Sequence, residues 1–160
     1  MKPAATVASP NRFLAMSGEH GNIPTQAAAA KLILIVEDNE LNMRLLNDVL
    51  EAHGYAIIKT GRGEEAVELA RREQPDVILM DVQLPDISGL EATRRLKADA
   101  ATRGIPVIAV TAFAMSGDER RIRDSGADAY VPKPIMLQPF LALLERYASG
   151  TIAEDGTRPD

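Results

Sequence analysis

Five side chains in this sequence have the chemistry of a cation-assisted anion site: the carboxylates Glu37, Asp38 and Asp81, the hydroxyl of Thr111 and the ammonium of Lys133. Each stands at or just after the end of an apolar run. LILIV (32–36) leads to Glu37 and Asp38, DVILM (76–80) to Asp81, IPVIAV (105–110) to Thr111, and ADAYV (127–131) nearly to Lys133. Brought together, three carboxylates repel and raise one another's pKa unless a cation joins them. A hard divalent ion with oxygen ligands resolves that repulsion, and Mg²⁺ is the natural candidate. An aspartate at the centre of such a site can attack phosphorus and become an acyl phosphate. The metal and Lys133 would offset charge on the equatorial oxygens. Thr111 would hydrogen-bond the product phosphoryl group, a local event that a loop can sense.

Taken singly, each of these residues has a bland reading. A Glu-Asp pair after a strand commonly caps a loop and helix. A strand-end aspartate is usually structural, and a lysine before a proline says little. Their joint occurrence at the ends of successive strands is what selects the site.

The elements that position them follow from periodicity. LILIV is a continuous apolar run, as in a strand buried on both faces. After it, Leu41, Leu45, Leu46, Val49 and Leu50 recur at helical spacing, with Asn39 as N-cap and Gly54 as stop. YAIIKT (55–60) is a second strand and EEAVELARREQ (64–74) a second helix ending before Pro75. DVILM is the third strand, and Ser88 with Glu91 forms an S-x-x-E capping box for a third helix reaching about Ala98. IPVIAV is the fourth strand; Ser116 and Glu119 make a second capping box, opening a helix that stops near Gly126. ADAYV is the fifth strand and PFLALLERY (139–147) the fifth helix, with Pro139 in its first turn. Strands alternating with helices through short links imply right-handed crossovers and a doubly wound parallel α/β sheet. In such a sheet ligands bind beyond the C-terminal strand ends, where these five residues stand together with Thr60.

The chain of 160 residues suits one domain with a real core. The compact unit is expected over 31–148, with a flexible leader over 1–30, including a short helix at its alanines, and a polar tail over 149–160. The net charge of −5 argues against a nucleic-acid surface. The scattered arginines (Arg71, Arg72, Arg94, Arg95, Arg120, Arg121 and Arg123) read as solvated helix faces. With no cysteine there are no disulfides, thiolate metal sites or cysteine nucleophiles. No run is long enough to span a membrane and no signal-peptide order opens the chain, so a cytoplasmic protein is expected. His20 and His53 lie in the leader and at the end of the first helix, leaving no Ser-His-Asp set. Gly61-Arg62-Gly63 is too weak for a dinucleotide or P-loop signature and reads as a turn.

VEDN (36–39), LMDVQLPDISGLE (79–91), VTAFAM (110–115) and YVPKP (130–134) together resemble the receiver domains of two-component response regulators. The resemblance spans nearly all of 31–148, and within the family it is nearest to single-domain members of cell-division control. It implies a CheY-like, flavodoxin-like (βα)5 fold with strand order 2-1-3-4-5. It implies Asp81 as phosphoacceptor, Asp38 as direct Mg²⁺ ligand, Glu37 as a ligand mainly through water, and Gln83 as a ligand through its backbone carbonyl. Thr111 and the backbone of Ala112 would hold the phosphoryl group, with Lys133 as its ion partner. Tyr130 would be the switch aromatic, turning inward on phosphorylation, and the Lys133–Pro134 peptide would be cis. The implied donor is a histidine kinase or phosphotransfer protein. Output would pass by protein contacts through the fourth helix, fifth strand and fifth helix of a monomer or weak dimer, without nucleic acid or membrane. The chain would catalyse only its own phosphorylation and dephosphorylation.

Two other readings share parts of the pattern. A haloacid-dehalogenase-like phosphatase also uses an aspartyl phosphate with Mg²⁺, but needs an acid where Gln83 stands. A pseudo-receiver that takes no phosphate would not need all five residues. Ile135-Met136, where the family often has a Ser or Thr cap, departs from the pattern.

Overall fold

The computed structural model describes residues 30–112 and 116–150. The leader through residue 29, with the helix expected at its alanines, and the tail from residue 151 lie outside the described residues. The chain alternates β1 (Leu32–Val36), α1 (Glu40–Ala52), β2 (Ala56–Thr60), α2 (Gly63–Glu73), β3 (Val77–Asp81), α3 (Gly89–Ala98), β4 (Val107–Thr111), α4 (Ser116–Asp124), β5 (Ala129–Pro132) and α5 (Leu137–Ser149). The five strands form one parallel sheet in the order β2-β1-β3-β4-β5, as expected. Among the described residues no helix is long and apolar enough to cross a membrane.

The two-residue period of the strands divides the core. Ile33, Ile35, Val77, Leu79, Ile108 and Val131 pack with Leu46 and Leu50 of α1 and Phe140 and Leu144 of α5. The intervening Leu34, Val36, Ile78, Met80 and Val107 pack with Ala66, Val67 and Ala70 of α2 and Ala92 and Leu96 of α3. A smaller cluster of Leu90, Ala109 and Ile122 carries α4. Both faces of β1 and β3 are thereby buried, which is why their sequences read as unbroken apolar runs.

Helix boundaries follow local chemistry, with two corrections to the expected caps. Asn39 does cap α1, its Oδ1 accepting from the Asn42 N–H at 2.9 Å. Gly54 follows with φ +91°, a conformation that favours glycine. Ser88 caps α3, its Oγ accepting from the Leu90 N–H at 2.9 Å and the Glu91 N–H at 3.4 Å. Glu91 does not complete the box; its carboxylate binds Arg94 and Arg95, each at 3.1 Å, because those longer-range charges lie on its own exposed face. α4 begins at Ser116, and the Glu119 carboxylate of the second expected capping box turns instead to Tyr130. Other helix arginines lie on exposed faces as expected, where Arg71 pairs with Asp99 and Arg121 with Asp118.

The tightest backbone approach lies where β3 hands over to α3. A Cβ on Gly89 would stand 2.0 Å from the Asp81 carbonyl oxygen and 2.9 Å from the Val82 Cα. The Gly89 N–H donates to the Val82 carbonyl at 2.8 Å, holding the helix start against the strand end. Only glycine fits between these two backbones. Gly89→Ala is therefore expected to lower the unfolding free energy by about 2 kcal/mol, measured by chemical denaturation; a midpoint equal to that of the parent would contradict the contact.

Candidate functional site

Register brings the acids together. β1 pairs with β3 so that Val36 lies beside Met80, and one step further Glu37 falls beside Asp81. The ladder continues past β1, the Glu37 N–H donating to the Thr60 carbonyl at 3.0 Å. Carboxylate oxygens of Glu37, Asp38 and Asp81 all lie within 4.8 Å of one another. Glu37 and Asp81 are only 4% and 5% exposed, while Asp38 faces solvent. The Lys133 Nζ stands 3.4 Å from both Glu37 Oε1 and Asp81 Oδ2, so one ammonium bridges the two buried acids. The Lys133–Pro134 peptide is cis.

The surrounding backbone orients the carboxylates. The Asn39 N–H donates to Glu37 Oε2 at 3.2 Å, and the Gln83 N–H donates to Asp81 Oδ1 at 3.2 Å. Thr111 ends β4 and is 2% exposed, with Ala112 exposed beyond it. The Lys133 N–H donates to the Thr111 carbonyl at 2.8 Å, which ties the lysine to the threonine strand. A cleft of about 400 Å³, lined by Gln83, Leu84, Thr111, Asp118 and Arg121, opens between the β3–α3 loop and α4. Thr60, also at a strand end, is engaged elsewhere: its hydroxyl donates to Glu65.

Tyr130 belongs to the α4 side. It packs against the cluster of Leu90, Ala109 and Ile122, and its hydroxyl donates to Glu119 Oε2 at 2.7 Å. That hydrogen bond to a carboxylate, aided by desolvation, raises the phenol's pKa.

The electrostatics favour a cation. If all three acids ionise, their charge exceeds that of Lys133 by two units, and the donor set is oxygen throughout. Such a set fits Mg²⁺. The Asp81 carboxyl registers the imbalance: burial, then the neighbouring Glu37 charge, raises its pKa from 3.8 to about 6. The Gln83 N–H and Lys133 pull in the opposite direction and do not cancel those effects.

Four features of this region were not singled out from sequence: Asp86, whose carboxylate binds the start of α2; the close approach of Gly89; the contacts of Gly61 and Gly63 with the two acid loops; and Glu119 as the partner of Tyr130. A glycine directly after a serine cap was a readable sign of the second. Asp86 gave none, because its partners are 22 and 23 residues away.

The raised Asp81 pKa carries a stability prediction. A carboxyl held above its unfolded value stabilises the fold fully below about pH 4, and that contribution is lost as pH rises through about 6. At neutral pH in EDTA, Asp81→Asn is thus expected to be more stable than the parent by about 1–2 kcal/mol, with the gain shrinking toward pH 4. Denaturation midpoints across that range test it; a difference independent of pH would refute the assignment.

Comparison with known proteins agrees with this geometry. A family model described as "Response regulator receiver domain" matches residues 33–145. The polar-differentiation response regulator DivK of Brucella anthropi is 57% identical over 117 residues, covering 73% of this chain and 95% of that protein. The receiver domain of the sensor histidine kinase PA1611 from Pseudomonas aeruginosa, solved with a magnesium ion coordinated in its active-site cleft, is 36% identical with a TM-score of 0.71. The match covers 76% of this chain and 99% of that one. A CheY-like receiver domain protein from Methanospirillum hungatei, 26% identical, gives a TM-score of 0.72 and covers 79% and 99% of the two chains. A buried aspartate at the end of the third of five parallel strands, flanked by two acids and a lysine, thus sits in a chain that belongs to the response regulator receiver domain family.

Proposed function

We propose that Asp81 accepts a phosphoryl group from a phosphohistidine donor in a Mg²⁺-dependent reaction, and that the phosphorylated form signals by changing its protein contacts. The observation that carries this reading is the bridging of two buried carboxylates, Glu37 and Asp81, by Lys133 beside the exposed Asp38. The donor is a histidine kinase or a phosphotransfer protein. The family relation and the likeness to DivK favour a role in cell-division or polarity control.

In the step itself, an Asp81 carboxylate oxygen forms a bond to phosphorus while the bond from phosphorus to the donor histidine nitrogen breaks. The electron pair of that bond leaves with the imidazole, which then takes up a proton. Lys133 faces Asp81 Oδ2 and would pair with the incoming phosphoryl oxygens. Asp38, Glu37 and Asp81 would hold Mg²⁺ together with the Gln83 carbonyl, and the bound ion supplies neutralising charge for the transferring group. The Thr111 hydroxyl and the Ala112 backbone would bind the product phosphoryl oxygens.

Tyr130 would read the result. Phosphorylation draws Thr111 toward Asp81, and the aromatic ring turns inward, giving up its hydrogen bond to Glu119. The surface that changes is the α4–β5–α5 face, where the downstream partner docks.

Two measurements check this reading. Intact-mass analysis after incubation with acetyl phosphate and Mg²⁺ is expected to show one phosphoryl adduct, lost when EDTA precedes the donor and lost in Asp81→Asn. Labelling of that variant at the parent's level would move the site elsewhere. Tyr130→Ala is expected to accept phosphate at close to the parent's rate while losing the phosphorylation-dependent change in partner affinity. An affinity change equal to the parent's would remove Tyr130 from the switch.

A further inference from the structure

The Gly61-Arg62-Gly63 turn has no role in the chemistry above, yet it touches both loops that carry the acids. A Cβ on Gly61 would stand 3.4 Å from the Asp38 Cα and 3.5 Å from the Glu37 carbonyl oxygen. One on Gly63 would stand 2.7 Å from the Ile87 Cγ1 and 3.2 Å from the Ile87 carbonyl oxygen. The turn is therefore seated against the β1–α1 loop on one side and the β3–α3 loop on the other.

Asp86 fastens the second seat. Its Oδ1 accepts from the Gly63 N–H at 2.8 Å and its Oδ2 from the Glu64 N–H at 2.9 Å. Helix α2 has no cap of its own: Arg62 occupies the N-cap position in extended conformation and makes no side-chain cap bond. The cap comes instead from a loop 23 residues further on. A helix of this kind is ordinarily capped by its own N-cap residue, within the same turn.

The strand order gives that long-range cap a consequence. β2 and β3 flank β1 and do not touch each other in the sheet. The loops that follow them can meet only across the end of β1, which is where Glu37 and Asp38 stand. Binding Asp86 to α2 therefore closes a ring around the acid cluster, from β3 through Gln83 and Asp86 to Gly63, Gly61 and Asp38.

We infer that Asp86 is a positioning residue for the Mg²⁺ and phosphotransfer site, holding the loop that carries Gln83 at a fixed distance from Glu37 and Asp38 through the Gly61–Gly63 turn. This inference rests on the phosphotransfer reading of Asp81. Asp86 touches none of the acids and acts only through the backbone it holds. Support of this kind around a metal site typically governs affinity for the ion as well as rate.

A purely structural helix cap would affect stability alone, so the test separates the two. Asp86→Ala is expected to bind Mg²⁺ about tenfold more weakly by titration calorimetry and to take phosphate from acetyl phosphate correspondingly more slowly. Asp86→Asn, which keeps an acceptor for one N–H, is expected to fall between. In the double variant Asp86→Ala with Arg62→Ser, the serine supplies α2 with a local cap. Thermal stability is then expected to return toward the parent's while Mg²⁺ affinity stays low. The inference is overturned if the double variant regains Mg²⁺ affinity together with stability. It is also overturned if Asp86→Ala and Asp86→Asn bind Mg²⁺ as the parent does. A parent protein that binds no Mg²⁺ and accepts no phosphate would instead overturn the phosphotransfer reading, and this inference with it.

Discussion

Two buried carboxylates share one ammonium at the edge of the sheet, and much else in the domain serves to keep them there. Left alone, Asp81 would move away or take up a proton, since burial and the neighbouring Glu37 charge both oppose its ionised form. The strands beneath prevent separation. β1 and β3 are hydrogen-bonded neighbours, and their apolar side chains are locked into cores on both faces. The repulsion is thus held as a standing electrostatic cost, and a divalent cation or a phosphoryl group with its cation would relieve it.

Rigidity below the site is matched by adjustability above it. The strand ends are pinned by backbone ladders, by the close fit of Gly89 against Asp81, and by the Lys133 N–H on the Thr111 carbonyl. Helix α4 and Tyr130 beside it are held more by polar contacts: Tyr130 to Glu119, and Glu119 to Arg123 at 4.0 Å. The α4 core is correspondingly small, with three buried residues, Leu90, Ala109 and Ile122. Hydrogen bonds of this type exchange readily for others, whereas a close-packed core does not. That contrast favours the α4–β5 side of the sheet, rather than the α1 and α5 core, as the place where the proposed conformational response would occur.

Much of the fold was readable because buried parallel strands leave an unmistakable trace. LILIV, VILM and IPVIAV are apolar throughout since helices cover both faces, and each run ended within about two residues of the strand it announced. The caps at Asn39 and Ser88 were readable for a local reason, because a cap and its N–H partners lie within one turn. The reciprocal half of the Ser88 box failed because Glu91 had two arginines within reach on its own helix. Asp86 was invisible for the opposite reason: nothing near it in sequence shows that α2 needs a cap from elsewhere.

Residue types and their spacing were enough to determine an alternating α/β domain and to set three acids, a threonine and a lysine at its strand ends. That follows from short-range physics: a two-residue or 3.6-residue period, a cap, a glycine stop. The distances that make those residues a site were decided only in three dimensions. Register set Glu37 beside Asp81, the backbone past β5 carried Lys133 to within 3.4 Å of both, and packing at Gly61, Gly63 and Gly89 fixed the loops around them. Interactions between residues far apart in the chain depend on how strands order and helices seat, and no local pattern encodes that.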